Sequence, residues 1–136
     1  MIEKELPEII KEVGFDFPFD FVEDSKKIWR LEIPTVEVPI DILKWHLDIP
    51  FWSSDNGFYD LSPNRLMSNP QLSADHYRRV LNADMSYPVD FTFYKGRYKI
   101  IDGLHRLANA AFRHSQFVNG REIPLNQLLS LLNDNH

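Results

Sequence analysis

In "YKIIDGLHRLANAAF", residues 98–112, a histidine and an arginine follow a strand-like run and an Asp-Gly pair and open a helical pattern. The first turn of a helix carries unpaired N–H groups and partial positive charge, so cations there call for something negative among them. A bound anion answers that call. Asp102 stands where an N-cap belongs, and Gly103 permits a tight turn with close approach of a ligand to the backbone. First-turn N–H groups, the fork of Arg106 and the imidazole of His105 would then converge on one point suited to a phosphate. The alternative is a plain capping arrangement, in which Arg106 pairs with Asp102 one turn back and His105 is solvated.

Other residues could join this chemistry. In "SADHYRRVL" the spacing of three puts Ser73, His76 and Arg79 on one helix face, with Arg79 the best suited to phosphate. Asp102, next to the expected phosphates, could bind a metal ion or orient Arg106. The acids Glu37, Asp41 and Asp48 read as surface groups. Among the aromatics, Trp45 and Phe51 are expected in the core, while Trp52, followed by "SSDNG", is a candidate for a pocket rim. His46 has no partner at metal-ligand spacing, so zinc is not expected there.

The elements that must position these residues follow from pattern. "EKELPEIIKEVG" predicts a short amphipathic helix over 2–13, and "FDFPFDFVEDS" an extended lead-in around Pro18. "KKIWRLEIP" and "TVEVP" read as strands, and "IDILKWHLD" as a short helix closed by Ile49-Pro50. Residues 51–63 are irregular. Ser62 and Pro63 start one helix, and Ser73 caps the next, with Tyr77, Val80 and Leu81 facing inward. "PVDFTFY" alternates Val89, Phe91 and Phe93 against Asp90 and Thr92, and turns at Lys95-Gly96 into "RYKIID". Asn119-Gly120 reads as a turn before a short strand "REIP". A terminal helix over 125–133 carries Leu125, Leu128, Leu129 and Leu132 on one stripe. This order of elements is α+β, in a single domain spanning 1–136.

Composition narrows the function classes. The 136 residues carry no cysteine, which excludes disulfides, thiolate zinc sites and cysteine nucleophiles. No apolar run approaches the length of a membrane span, and the acidic N-terminus lacks the pattern of a signal peptide, so a cytoplasmic protein is expected. Net charge is −5, with basic residues gathered between positions 78 and 121. A local anion site fits this better than a broad DNA-binding face.

The stretch "IIDGLHRLANA" resembles the signature of the ParB/sulfiredoxin superfamily, a strand, a "DG-x-HR" turn and a helix over nucleotide phosphates. "SYPVDFTFYKGRYKI" is similar to the hairpin that precedes it. "VPIDILKWHLDIPFW", "LSPNRLMSNP" and "ADMSYPV" resemble a group of small single-domain bacterial proteins of that superfamily. The resemblance covers roughly 29–124, with the terminal helices as flanks. It implies a small mixed sheet, a hairpin leading into a phosphate-binding helix, and a nucleotide (ATP, ADP or CTP, with magnesium) held at Gly103, Leu104, His105 and Arg106. In sulfiredoxin the helix before the hairpin also contacts nucleotide, which implies a role for Ser73, His76 and Arg79.

Departures from the family narrow the reading. Leu104 stands where sulfiredoxin carries its cysteine, so sulfinic acid reduction by that mechanism is excluded. The helix-turn-helix domain and dimerisation tail of the partition proteins do not fit in this chain. The similar "DG-H-H-R" turn of the ADP-dependent free serine kinase points to phosphoryl transfer to a small molecule, with Asp102 and His105 as catalytic candidates. The alternatives are a nucleotide-sensing module and a protein-interaction domain.

Overall fold

The computed structural model describes residues 26–133. The expected helix over 2–13 and the lead-in around Pro18 lie outside the described residues. Four strands, β1 (Val36–Pro39), β2 (Val89–Tyr94), β3 (Arg97–Asp102) and β4 (Phe117–Glu122), form one sheet in the order β1-β4-β2-β3. β1 and β3 run antiparallel to their neighbours, whereas β2 and β4 are parallel, so the sheet is mixed. The helices are α1 (Pro63–Ser68), α2 (Ala74–Leu81), α3 (Leu104–Phe112) and α4 (Leu125–Asn133). The fold class is α+β.

The hairpin forms where the pattern places it. Lys95 and Gly96 both take positive φ (49° and 80°), as a two-residue turn matched to strand twist requires. A bulge leaves Ile101 without a cross-strand partner between the pairs Asp90–Asp102 and Phe91–Ile100. Because side chains alternate along a strand, the consecutive isoleucines enter different apolar clusters. Ile100 joins the main core, with Leu43, Leu61, Leu66, Val80 and Leu107 beneath the helices. Ile101 joins Ile28, Ile123 and Leu128 in the second cluster.

Burying both faces overrides the simple alternation expected in β2. Asp90 and Thr92 are buried along with Val89 and Phe91, while Phe93 is half exposed. Both buried polar side chains of β2 are matched. The Thr92 hydroxyl donates to the Ile123 carbonyl at 2.8 Å. Arg121 makes a two-point pair with Asp90, with Nε to Oδ1 at 2.7 Å and an NH2 nitrogen to Oδ2 at 3.0 Å. The same guanidinium donates to the Leu31 and Ile28 carbonyls at 2.9 and 3.0 Å. This explains why 26–34 is not a strand: residues 26–29 are helical, and the Ile28 and Leu31 carbonyls face an arginine instead of a neighbouring strand.

Four further expectations are corrected. "IDILKWHLD" forms two 3-10 helices, Ile40–Ile42 and Lys44–Asp48, broken at Leu43. Asn119-Gly120 is not a turn but lies within β4, where a Cβ on Gly120 would meet Val38 at 2.7 Å and Phe91 at 3.0 Å; close strand packing selects that glycine. Leu81 and Leu129 are partly exposed, and Leu131 packs on the second cluster. Asp102 ends β3, and the N-cap of α3 is Gly103, at φ 109° in the left-handed region. By contrast, the Ser62 and Ser73 hydroxyls accept from the N–H groups of Arg65 and His76, each at 3.2 Å, as N-caps do.

Candidate functional site

The strand–glycine–helix junction sets the centre of the site. A Cβ on Gly103 would meet the Val89 backbone at 3.1 Å and the Arg106 guanidinium at 3.2 Å, so the bare glycine lets Arg106 fold back across the junction. There Arg106 lies 3.4 Å from Asp102, and the two side chains are only 17% and 14% exposed. Asp102 Oδ2 also accepts the Trp29 indole N–H at 2.9 Å, from 73 positions away. Trp29 itself is 55% exposed, so this bond orients the indole at the surface.

A cavity of about 890 Å³ opens beside this junction, between α2, the segment after it and the start of α3. Its wall contains Gly103, Leu104, His105, Arg106, His76, Arg79 and Asp102, which brings together most of the residues singled out by motif and spacing. Ser73 is the exception. It is 3% exposed, its hydroxyl caps α2, and it does not line the cavity. A second cavity of about 580 Å³ lies between Trp29, Tyr87 and Arg121, and shares Tyr87, Asp102 and Arg106 with the first.

The two histidines meet. His76 Nδ1 lies 2.9 Å from His105 Nε2, and the ring planes differ by 12° with centroids 5.1 Å apart. At that spacing the rings lie edge to edge. Both stack on the Trp52 indole, at centroid distances of 4.7 and 4.5 Å. Trp52 is buried and held by reciprocal backbone bonds with Leu61 at 3.1 and 3.0 Å. It belongs to the cavity wall as the sequence suggests, yet it is more buried than Trp45, whose indole N–H donates to the Tyr98 carbonyl and whose ring carries the Arg97 guanidinium.

Electrostatics keep these histidines uncharged. Burial lowers the His105 pKa to about 4, assisted by the nearby Arg79, His76 and Arg106. Burial and Arg79 also lower that of His76. His46 is a separate, structural case. Its Nδ1–H donates to the Leu43 carbonyl at 2.7 Å, its Nε2 accepts the Ile100 N–H at 3.0 Å, and burial lowers its pKa to about 4. Both its nitrogens are committed, so it offers nothing to a ligand.

Among the described residues no group of three or more His, Asp or Glu side chains converges on a point where a metal ion would sit. Asp102 is a poor start for a magnesium site, because Oδ2 is engaged by Trp29 and faces Arg106. Asp41 pairs with Lys44 at 3.0 Å, Asp48 accepts from Asn64 at 2.7 Å, and Glu37 is exposed on β1. None of the three lines either cavity.

Sequence reasoning did not find Trp29, Tyr87, Asn82 or Asp84 in these walls. Trp29 reaches Asp102 only through the folded chain. "ADMSYP" offered one local signal for Asp84, an Asp two residues before a Ser: its carboxylate accepts the Ser86 hydroxyl and N–H at 2.6 and 3.0 Å, which hold it below the usual carboxylate range.

Comparison with family models, with curated proteins and with solved structures finds no match to this chain. No helix among the described residues is long and apolar enough to cross a membrane.

Proposed function

We propose that the protein is a ParB/sulfiredoxin-like domain that binds a nucleotide through its phosphates in the cavity at the start of α3. One observation carries this reading. Arg106 is largely buried, yet its only polar contact among the described residues is the 3.4 Å approach to Asp102. A guanidinium has five N–H donors, and leaving them unmatched away from bulk water is costly unless a ligand takes them. A phosphate reached by Arg106, by first-turn N–H groups and by Arg79 would supply the acceptors. ATP, ADP and CTP are the candidate ligands.

The chemistry that fits is phosphoryl transfer to a small acceptor, or nucleotide hydrolysis, with His105 beside the phosphates and Asp102 orienting Arg106. The competing reading is a nucleotide-sensing module that binds without turnover and acts through a protein partner. The commitment of Asp102 Oδ2 to Trp29 favours it, since that carboxylate is not a free base.

Thermal melts with ATP, ADP, CTP and GTP, each with and without magnesium, test the binding claim. A ligand at ~100 times its dissociation constant stabilises the fold by about 2.7 kcal/mol. At least one nucleotide should raise the melting temperature by several degrees; no shift with any of them refutes the reading. Turnover assays with the stabilising nucleotide then separate enzyme from sensor.

A further inference from the structure

We propose that a phosphoryl oxyanion entering the α3 cavity brings one proton with it, stored on the His76–His105 pair. This rests on the phosphate-site reading above and adds to it a proton that the site must take up. The argument begins with geometry. Two neutral imidazoles joined by one hydrogen bond at 2.9 Å share a single proton between the facing nitrogens. Whichever ring donates, the outer nitrogens, His76 Nε2 and His105 Nδ1, are then one donor and one acceptor. Neither has a protein partner among the described residues.

Adding one proton leaves the central bond intact and turns both outer nitrogens into N–H donors. A second proton would set N–H against N–H across the same 2.9 Å. The pair is thus built to hold one extra proton and no more. Trp52 is placed to stabilise it, because an aromatic face attracts a cation at the observed centroid distances of 4.5–4.7 Å.

The surrounding charges set when the proton arrives. Asp75 and Arg79 from α2, Arg106 from α3 and Asp55 from the segment after Trp52 face the pair. Arg78, Asp84 and Asp102 complete the charges on the cavity wall, and His46 is already committed to backbone. Asp75 is shared by Arg78 at 3.2 Å and Arg79 at 3.7 Å, and Asp102 faces Arg106. Without an anion, burial and the arginines hold the pair neutral. A dianion among those arginines cancels their repulsion and favours the imidazolium. By reciprocity, the protonated pair binds the anion more tightly. A doubly charged terminal phosphate is therefore the preferred ligand class over a singly charged phosphodiester.

Sulfate is the appropriate probe, since it stays doubly charged across the relevant pH range. The ring signals of His76 and His105 would be followed by NMR between about pH 4 and 8, in sulfate and in chloride of equal ionic strength, with His76→Gln and His105→Gln assigning the signals. The expected result is a single-proton midpoint raised by about one pH unit or more in sulfate, and sulfate affinity that falls by up to tenfold per pH unit above it. Sulfate that binds, shown by shifts of the Gly103 and Arg106 amides, while the midpoint stays fixed would overturn the proton coupling alone. No sulfate binding at any pH would overturn the phosphate site as well.

Discussion

The Arg106 guanidinium lies 3.4 Å from the Asp102 carboxylate, one helical turn back, and folds across the bare backbone of Gly103 to reach it. That single placement puts Arg106 in the walls of both cavities and leaves most of its guanidinium donors without an acceptor among the described residues. It also allows an Asp102–Arg106 pair to coexist with the proposed anion site. The aspartate aims the arginine while the remaining N–H groups stay available.

Replacing Arg106 with alanine should therefore separate binding from folding. Asp102 keeps the Trp29 indole as a partner, so the loss of stability should be modest, about 1 kcal/mol. Nucleotide-induced stabilisation should vanish. Urea melts give the first quantity and nucleotide-dependent thermal shifts the second; a variant that unfolds outright, or one that keeps the full shift, contradicts the assignment.

Gly103→Ala should hurt both. A side chain at φ 109° is strained, and the new methyl would press on the Val89 backbone and on Arg106. We expect a loss of about 1–3 kcal/mol together with weaker phosphate binding. Unchanged stability by chemical denaturation would mean that the turn does not need glycine.

Arg121 pairs with Asp90 inside the sheet and ties the sheet to the chain before β1 through the Ile28 and Leu31 carbonyls. Arg121→Ala leaves the buried Asp90 carboxylate without its guanidinium and takes one donor each from the Ile28 and Leu31 carbonyls, which keep the N–H groups of Leu31 and Ile33. The cost should be about 3–5 kcal/mol, read from the denaturation midpoint. A loss below that of a typical surface ion pair would contradict the role given to this arginine.

His46 predicts a pH dependence with a definite sign. Its pKa is lowered on folding from 6.5 to about 4, so the unfolded chain takes up the proton first as pH falls. Above about pH 6.5 this group is indifferent to folding. As pH falls from there towards 4, stability drops, by roughly 3 kcal/mol in full. His105, lowered by burial and by Arg79, His76 and Arg106, adds in the same window. Denaturation at a series of pH values should show this slope reduced in His46→Gln after allowing for that variant's lower baseline stability; an unchanged slope argues against a buried neutral His46.

Local signals were the readable part of this chain. The serine caps of α1 and α2, the Lys95-Gly96 hairpin and the strand–Asp-Gly–helix junction each rest on a few adjacent residues and form where the sequence suggests, though the cap of α3 is Gly103 and not Asp102. What was not readable depends on partners far along the chain. Asn119-Gly120 resembles a turn, yet Gly120 is selected by Val38 and Phe91 crowding over a central strand. Asp90 looked solvent-facing because its partner, Arg121, is 31 positions away. His76 and His105 were each legible as polar residues at suggestive spacing, but their contact across 29 positions, and the indole beneath both, come only from the packing of α2 against α3.

The most direct test of the central claim is a calorimetric titration of the protein with ADP and with adenosine, repeated on Arg106→Ala, with CDP and cytidine run alongside. If phosphates are what the cavity holds, a diphosphate binds wild type, its nucleoside binds at least about tenfold more weakly, a difference of 1.4 kcal/mol, and the variant loses the difference. If neither diphosphate binds, or if Arg106→Ala binds one as tightly as wild type does, the Asp102–Arg106 pair is a structural cap and the cavity is not a phosphate site.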